Sequence, residues 1–573
     1  MSEAQLVPYI PGTAPFTAEQ RAWLNGFLAG VFSRANPNPN PDLPSQPLEP
    51  LTILFGSQTG NAEALAKRLA KEARRRGFAP RVYDLAQYPH ANLQSEKNVL
   101  LITSTYGDGD PPDNAKGFWE FLSNGQAPSL KNLNFSVLAL GDSNYPKFCA
   151  CGKNFDEHLE RLGAKRVHPR ADCDLDYEEP FTAWMESSLS ALNPNLNPDP
   201  DPTSSSAAPP THSRSNPFPA CLLTNGILNA PGSEKETRHF EISLENSGLT
   251  YEAGDALGVI PTNCPQLVDE ILSALGCPRD ENIRNALLRE HDITKISHPL
   301  IVAFAERTAD ETLKKLASPH VNGELKEFLR GREVIDLLLG YPDIQWTPAD
   351  FLKCLKKLQA RLYSISSSPK AHPGRVHLTV SVVRYESLGR PRKGVCSSFL
   401  ADRACSSTTL PIFIHTNKNF RLPQDSSRPL IMVGPGTGIA PFRAFLHDRR
   451  ASGAKGKTWL LFGDQHEATD FLYREELEAF IRDGTLTRLT TAFSRDQVEK
   501  LYVQHRMLEH AAELFQWLQD GAYFYVCGDA NRMARDVDAA LHQIIQQQTS
   551  SAEHATEYVN SLRNAKRYQR DVY

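Results

Sequence analysis

The chain has 573 residues, with 62 Lys and Arg against 67 Asp and Glu and a net charge of -5. That length exceeds what one hydrophobic core supports and predicts about three domains, while the slight acidity excludes the basic field of a nucleic-acid binder. Ten cysteines without a CxxC pair exclude the usual zinc spacing and a disulfide framework. With neither a secretory signal nor a membrane-length apolar run, the expected setting is the reducing cytoplasm, away from membranes.

In chain order, Thr17-Ala18-Glu19-Gln20 reads as a capping box before Trp23, Leu24, Phe27, Leu28, Val31 and Phe32, which recur at helical spacing. This predicts an amphipathic helix within residues 1–35. One such helix cannot bury its stripe alone, so it docks on its own domain or serves self-association or a partner subunit. Residues 36–50 and 193–219 are rich in Pro, Asn and Ser and read as linkers. Between them, residues 51–192 alternate strands (Leu51–Phe55, Val99–Thr103, Phe135–Leu140) with helices (Asn61–Arg75, Asn114–Leu122, Cys151–Leu162), predicting a doubly wound parallel sheet. Residues 220–427 predict an antiparallel barrel, with strands at Arg361–Ser366, His377–Arg384 and Pro411–His415 and a helical insert over about 265–358. From residue 428 the alternation returns, with strands at Leu430–Val433, Trp459–Phe462, Thr487–Phe493 and Tyr523–Cys527. The expected fold class is multidomain α/β: two α/β sheets bracketing a β-barrel.

Gly56-Ser57-Gln58-Thr59-Gly60-Asn61-Ala62 follows the first strand and starts a helix. Small hydroxyls and backbone N–H groups at a helix start cradle an anion, and without a Gly-Lys-Ser/Thr ending a monophosphate fits better than a triphosphate. Two more loops end strands at the same edge: Ser104-Thr105-Tyr106-Gly107 and Leu140-Gly141-Asp142-Ser143-Asn144-Tyr145. Ligands of doubly wound sheets sit at this carboxyl edge, where Tyr106 and Tyr145 offer faces to a flat ring. These loops resemble those of an FMN-binding flavodoxin, and the resemblance extends the site to Phe148 and Cys149. Asp108, Asp110, Asp113, Asp172, Asp174, Asp176, Glu178 and Glu179 crowd the same region and suggest a docking face for a basic partner.

Arg361-Leu362-Tyr363-Ser364 resembles the FAD signature of the ferredoxin–NADP reductase family. The resemblance implies Tyr363 against the flavin ring, Ser364 at its reactive edge and Arg361 on the pyrophosphate. It also implies flavin contacts from Thr379, Val380, Ser381 and Tyr385, and from Gly394, Val395, Cys396 and Ser397. Gly434-Pro435-Gly436-Thr437-Gly438 follows a strand and starts a helix, as a dinucleotide loop does. Ser494 and Arg495, with Lys500, Tyr502 and Gln504, suit a 2′-phosphate and favour NADP over NAD; Asp536 matches a further nucleotide contact in similar reductases. The terminal Tyr573 fits an aromatic that covers FAD and moves for the nicotinamide. Ser364, Cys527 and Asp571 match the polar trio that serves hydride transfer in that family.

From residue 51 onward the chain resembles the diflavin reductases, which pass electrons from NADPH through FAD to FMN. The ending Lys566-Arg567-Tyr568-Gln569-Arg570-Asp571-Val572-Tyr573 and the stretch around Leu24-Asn25-Gly26-Phe27 are similar to the flavoprotein subunit of NADPH sulfite reductase. That resemblance implies a partner hemoprotein subunit carrying sirohaem and an iron–sulfur cluster, and a homo-oligomer assembled through the N-terminal helix. A cytochrome P450 or another haem or iron–sulfur protein is the alternative acceptor; a scaffold protein that lost electron transfer is the alternative class.

Overall fold

A computed structural model describes residues 17, 48–57, 60–105, 109–125, 127–141, 147–174, 177–193, 212–318, 322–405, 407–530 and 532–573. The expected N-terminal helix and most of both expected linkers lie outside the described residues. The first sheet contains β1 (Glu49–Gly56), β2 (Phe78–Asp84), β3 (Asn98–Ser104), β4 (Asn134–Leu140), β5 (Lys165–Arg166) and β6 (Ala171–Cys173). Its order is β2-β1-β3-β4-β5, with β6 also on β4 and every pairing parallel. Parallel strands buried on both faces read as apolar runs. In β1, Leu51, Ile53 and Phe55 pack with Leu65, Leu69 and Trp184 on one face, while Leu54 packs with Leu101, Phe118 and Phe155 on the other. The edge strand β2 escaped the sequence reading because Arg81 and Tyr83 interrupt its apolar pattern. Glu49 and Pro50, expected in a linker, extend β1 because they pair with Phe78 and Ala79.

The second sheet is antiparallel, in the order β10-β9-β14-β7-β8-β11. Its strands are β7 (Phe218–Ile227), β8 (Thr237–Ser243), β9 (Ala256–Val259), β10 (Arg361–Ser364), β11 (Arg375–Ser381) and β14 (Thr409–His415). A bridge between Ile365 and Leu378 brings the two ends together into a barrel around Phe240, Leu257, Leu378 and Leu400. β12 (Arg384–Ser387) and β13 (Arg390–Lys393) form a hairpin. β7 begins inside the expected second linker, since Phe218 and Pro219 pair with Ile412 and Pro411. The helical insert between β9 and β10 runs from Pro265 to Cys354. Its helices start on side-chain caps at Asp280, Ser297, Asp310 and Thr347, each of which accepts backbone N–H bonds.

The third sheet is parallel and orders β17-β16-β15-β18-β19. Its strands are β15 (Leu430–Val433), β16 (Thr458–Asp464), β17 (Arg488–Phe493), β18 (Tyr523–Gly528) and β19 (Tyr568–Val572). The sequence reading has no strand at β19, because Gln569-Arg570-Asp571 is polar. Pairing with β18 compensates: the register sets Val526 beside Arg570 and Cys527 beside Asp571. Among the described residues, no helix is long and apolar enough to cross a membrane.

Arg392 of β13 fastens the insert to the barrel. Its side chain is 1% exposed and reaches Glu333 at 3.1 Å and Asp336 at 2.6 Å, the two residues that cap the helix Val334–Gly340. Removing one partner of a buried pair leaves the other charge uncompensated. Arg392→Ala is therefore expected to destabilise the barrel and insert by about 3–5 kcal/mol, read as a lower urea midpoint for that transition.

Candidate active site

At the carboxyl edge of the first sheet, the helix Asn61–Arg75 starts from Gly60, whose φ of 91° only glycine adopts without strain. Ser57 Oγ accepts the Gly60 N–H at 2.9 Å, and the Ser57 N–H donates to Asn114 Oδ1 at 2.9 Å. Asn114 in turn donates to Asp84. The ends of the phosphate loop are thus pinned before any ligand arrives. Thr105 Oγ1 accepts the Cys151 N–H, while the neighbouring Ser104 Oγ is buried without a partner among the described residues. An orphaned hydroxyl beside a glycine-started helix fits a phosphorylated ligand such as FMN. Of the expected FMN residues, Ala62 and Leu140 are core side chains. Gly141 has no room for a Cβ, which would stand 2.9 Å from Cys149 Sγ. Cys149, also expected at the FMN site, has a fully buried side chain whose Sγ lies against Ala139 O at 3.3 Å. Gln58, Thr59, Tyr106, Gly107, Asp142, Ser143, Asn144 and Tyr145 lie outside the described residues.

In the barrel, β10 pairs with β9 and presents Arg361, Tyr363 and Ser364. Arg361 Nη1 donates to Gln359 O at 3.0 Å, and the Tyr363 hydroxyl is raised by burial and by Cys396 beside it. Ser397 Oγ accepts the Val383 N–H, which holds the segment Gly394–Ser397 against the β11–β12 turn. Val380 and Cys396 are buried core side chains, Ser381 and Tyr385 are exposed, and Thr379 Oγ1 is hydrogen-bonded to Tyr473 Oη at 2.7 Å. Thr379, Val380 and Cys396 therefore offer a flavin little beyond their backbone.

A pocket of about 450 Å³ opens at the carboxyl edge of the third sheet. Gly436, Ser494, Arg495, Lys500, Tyr502, Gln504 and Asp536 line it, from segments as far apart as β15 and the helix Met533–Thr549. Thr437, the eighth residue expected there, does not line it; its hydroxyl is on Tyr573 Oη at 3.0 Å. Two further cations line it that the sequence reading missed: Arg532, and Lys235 from the β7–β8 loop of the barrel. Lys235 pairs with the buried Asp464, whose Oδ2 has no partner among the described residues. Nothing in the local sequence around Lys235 signals a nucleotide; only the packing of barrel on sheet brings it there. Two glycines of the loop are also packed tightly against protein. A Cβ on Gly438 would stand 2.1 Å from Cys527 O, and one on Gly434 would meet the Phe442 ring. They permit close packing inside the sheet, and it is Gly436 that lines the pocket.

The barrel and the third sheet meet at Asp571. Its Oδ2 accepts the Ser364 hydroxyl at 2.7 Å and lies 4.0 Å from Cys527 Sγ. Burial raises the Asp571 carboxyl, and the Ser364 hydroxyl opposes that shift. Burial and the Asp571 charge hold Cys527 well above the usual thiol range, so it stays a neutral S–H. Tyr573 stands beside this trio. Its N–H donates to Gly528 O, and its phenol meets Thr437 Oγ1 at 3.0 Å, so the terminal ring lies across the glycine loop.

His239, Glu241 and His377 bring their ligand-type atoms within 4.8 Å of one another. Arg375 occupies Glu241 at 3.0 Å and Arg443 stands 3.3 Å from His377, so positive charge is already supplied there.

A flavodoxin family model matches residues 53–184, an FAD-binding domain model matches 210–300 and 282–399, and an oxidoreductase NAD-binding domain model matches 432–539. The chain is 45% identical to the sulfite reductase (NADPH) flavoprotein alpha-component of Bacillus subtilis, covering 97% of this chain and 96% of that protein. It is 43% identical to the protein of the same name from Vibrio cholerae, over 100% of this chain and 96% of the relative. The counterpart in Mannheimia succiniciproducens is 42% identical over 97% of this chain and 96% of its own length. The chain belongs to the sulfite reductase (NADPH) flavoprotein alpha-component family. Within that family it is an NADPH-dependent flavoprotein oxidoreductase that uses FMN, FAD and NADPH.

Ser364→Ala removes the hydroxyl that favours ionised Asp571, so the carboxyl rises further. The acid limb of NADPH-dependent flavin reduction is expected to move to higher pH, with the maximal rate falling by about ten- to a hundredfold. Stopped-flow flavin bleaching across a pH series measures both.

Proposed function

We propose that this chain takes hydride from NADPH at the junction of barrel and third sheet, then passes electrons singly from the flavodoxin sheet to the hemoprotein partner of sulfite reductase. Bound FAD supplies the hydride acceptor and bound FMN the one-electron carrier. The observation that carries the reading is the meeting of Ser364, Cys527 and Asp571 in one half-buried polar cluster, with a cation-lined pocket at the same sheet edge.

In this reading Arg495, Lys500 and Tyr502 grip the 2′-phosphate end of the nucleotide. Lys235 and Arg532 face its diphosphate. Ser364 and Asp571 orient the nicotinamide and hold its developing charge, while Cys527 fills the floor beneath it without ionising. Tyr573 leaves the glycine loop to admit the ring, giving up its bond to Thr437. Arg361, Leu362, Tyr363, Gly394 and Val395 hold FAD, and the loops after β1, β3 and β4 hold FMN. The domains are taken as residues 51–192, 220–427 and 428–573. The N-terminal segment supports assembly, and the cytoplasm is the setting.

Two measurements test this. Anaerobic NADPH is expected to bleach both flavins, and addition of the sirohaem hemoprotein is expected to restore the oxidised spectrum; a bleached chain that stays reduced would sink the acceptor assignment. Separately, Arg495→Ala deletes a charge-assisted contact of about 1.5–3 kcal/mol, so KM for NADPH should rise roughly ten- to a hundredfold while KM for NADH stays put.

A further inference from the structure

The carboxylate of Asp571 is held from more sides than the hydride trio. Its Oδ1 faces Asn417 Nδ2 at 3.5 Å. Asn417 is 5% exposed, and its mount is rigid: its N–H donates to Asp255 Oδ1 at 2.9 Å, and its side-chain oxygen accepts the Asn419 N–H at 3.2 Å. The amide is therefore left with its N–H groups towards Asp571.

Asn417 and Asp571 each have a chain neighbour on the flavodoxin half. Lys418, next to Asn417, lies against the phosphate loop: a Cβ on Gly60 would stand 3.4 Å from Lys418 Cβ. Arg570, next to Asp571, forms a forked ion pair with Asp113, its Nε 3.0 Å from Asp113 Oδ2. The Arg570 side chain is 7% exposed and that of Asp113 19%, and Lys116 adds a second cation at 2.9 Å from Asp113. A forked pair this far from water fixes both side chains in register. Arg535–Asp110, at 3.3 Å, widens the contact.

We propose that Asn417 and Arg570 are positioning residues for Asp571, and that Arg570 does this work only while Asp113 of the flavodoxin half grips it. Docking of the flavodoxin half then holds β19 taut against β18, and hydride transfer runs fastest in the docked arrangement. When that half departs, Arg570 loses the Asp113 carboxylate, β19 loosens and Asp571 drifts from Ser364. The geometric demand at a hydride site is steep, so a small drift suffices.

The proposal rests on the hydride-site reading above, and its first test needs neither NADPH nor an acceptor. In the full chain with both flavins bound, Asp113→Ala is expected to speed deuterium exchange of residues 568–573 several-fold, and Asp113→Glu to restore it. First-turnover flavin bleaching by NADPH should slow by about tenfold in Asp113→Ala and again recover in Asp113→Glu. Asn417→Ala should slow the same step with the flavodoxin half still docked. Should Asp113→Ala lose FMN, Asp113→Asn keeps the shape without the charge and carries both readouts. Unchanged exchange overturns the proposal, and so does altered exchange with an unaltered first turnover. Failure of bleaching in the parent chain would instead overturn the hydride-site reading itself.

Discussion

One half-buried carboxylate organises the reductase half. Asp571 occupies the last strand of the third sheet, yet its hydrogen-bond partner Ser364 belongs to the barrel. A carboxylate leaves water only when donors and surroundings compensate, and here barrel and sheet must both be in place to supply them. The relative setting of the two units is thereby tied to the chemistry performed between them.

The rest of that junction is built in the same currency. Arg443 reaches across from the helix after the glycine loop to Ser366 O at 2.7 Å, with Glu476 paired to it at 2.6 Å. Tyr473 bonds both Thr379 and His239, Lys370 pairs with Asp448, and Asn229 with Asp470. Burial, with Arg443 adding to it, pushes His377 down to about 2, so its imidazole stays neutral there. Such pairs add less stability than their number suggests, because desolvation offsets their attraction. Their contribution is orientation: each tolerates only one alignment of barrel and sheet, and that alignment aims Lys235 into the cation-lined pocket and Ser364 at Asp571.

Much of the site was legible before any coordinates. Seven of the eight residues expected to bind NADP line one pocket, because loops at strand ends carry functional groups and the strands themselves are plain in the sequence. Other expected residues turn their side chains elsewhere. Val380 faces the core by the pleat of β11, and Cys149 by its left-handed turn before the helix Ala150–Arg161. Thr379 looked available, but its hydroxyl is engaged by Tyr473, 94 residues away. Lys235, Arg532 and Asn417 left no local mark at all.

What the sequence by itself determined is the set of units whose signal is local: apolar runs that become buried parallel strands, glycine and hydroxyl residues that open helices, and basic side chains grouped around Ser494. What only the tertiary structure decided is every contact between those units. β19 is polar and reads as no strand, and it exists as one because β18 supplies its hydrogen bonds and sets Asp571 beside Cys527. Ser364 meets Asp571 across 207 residues, and Asp113 meets Arg570 across 457. Pairings at that separation depend on how whole sheets dock, and no pattern within a short window of sequence encodes that geometry.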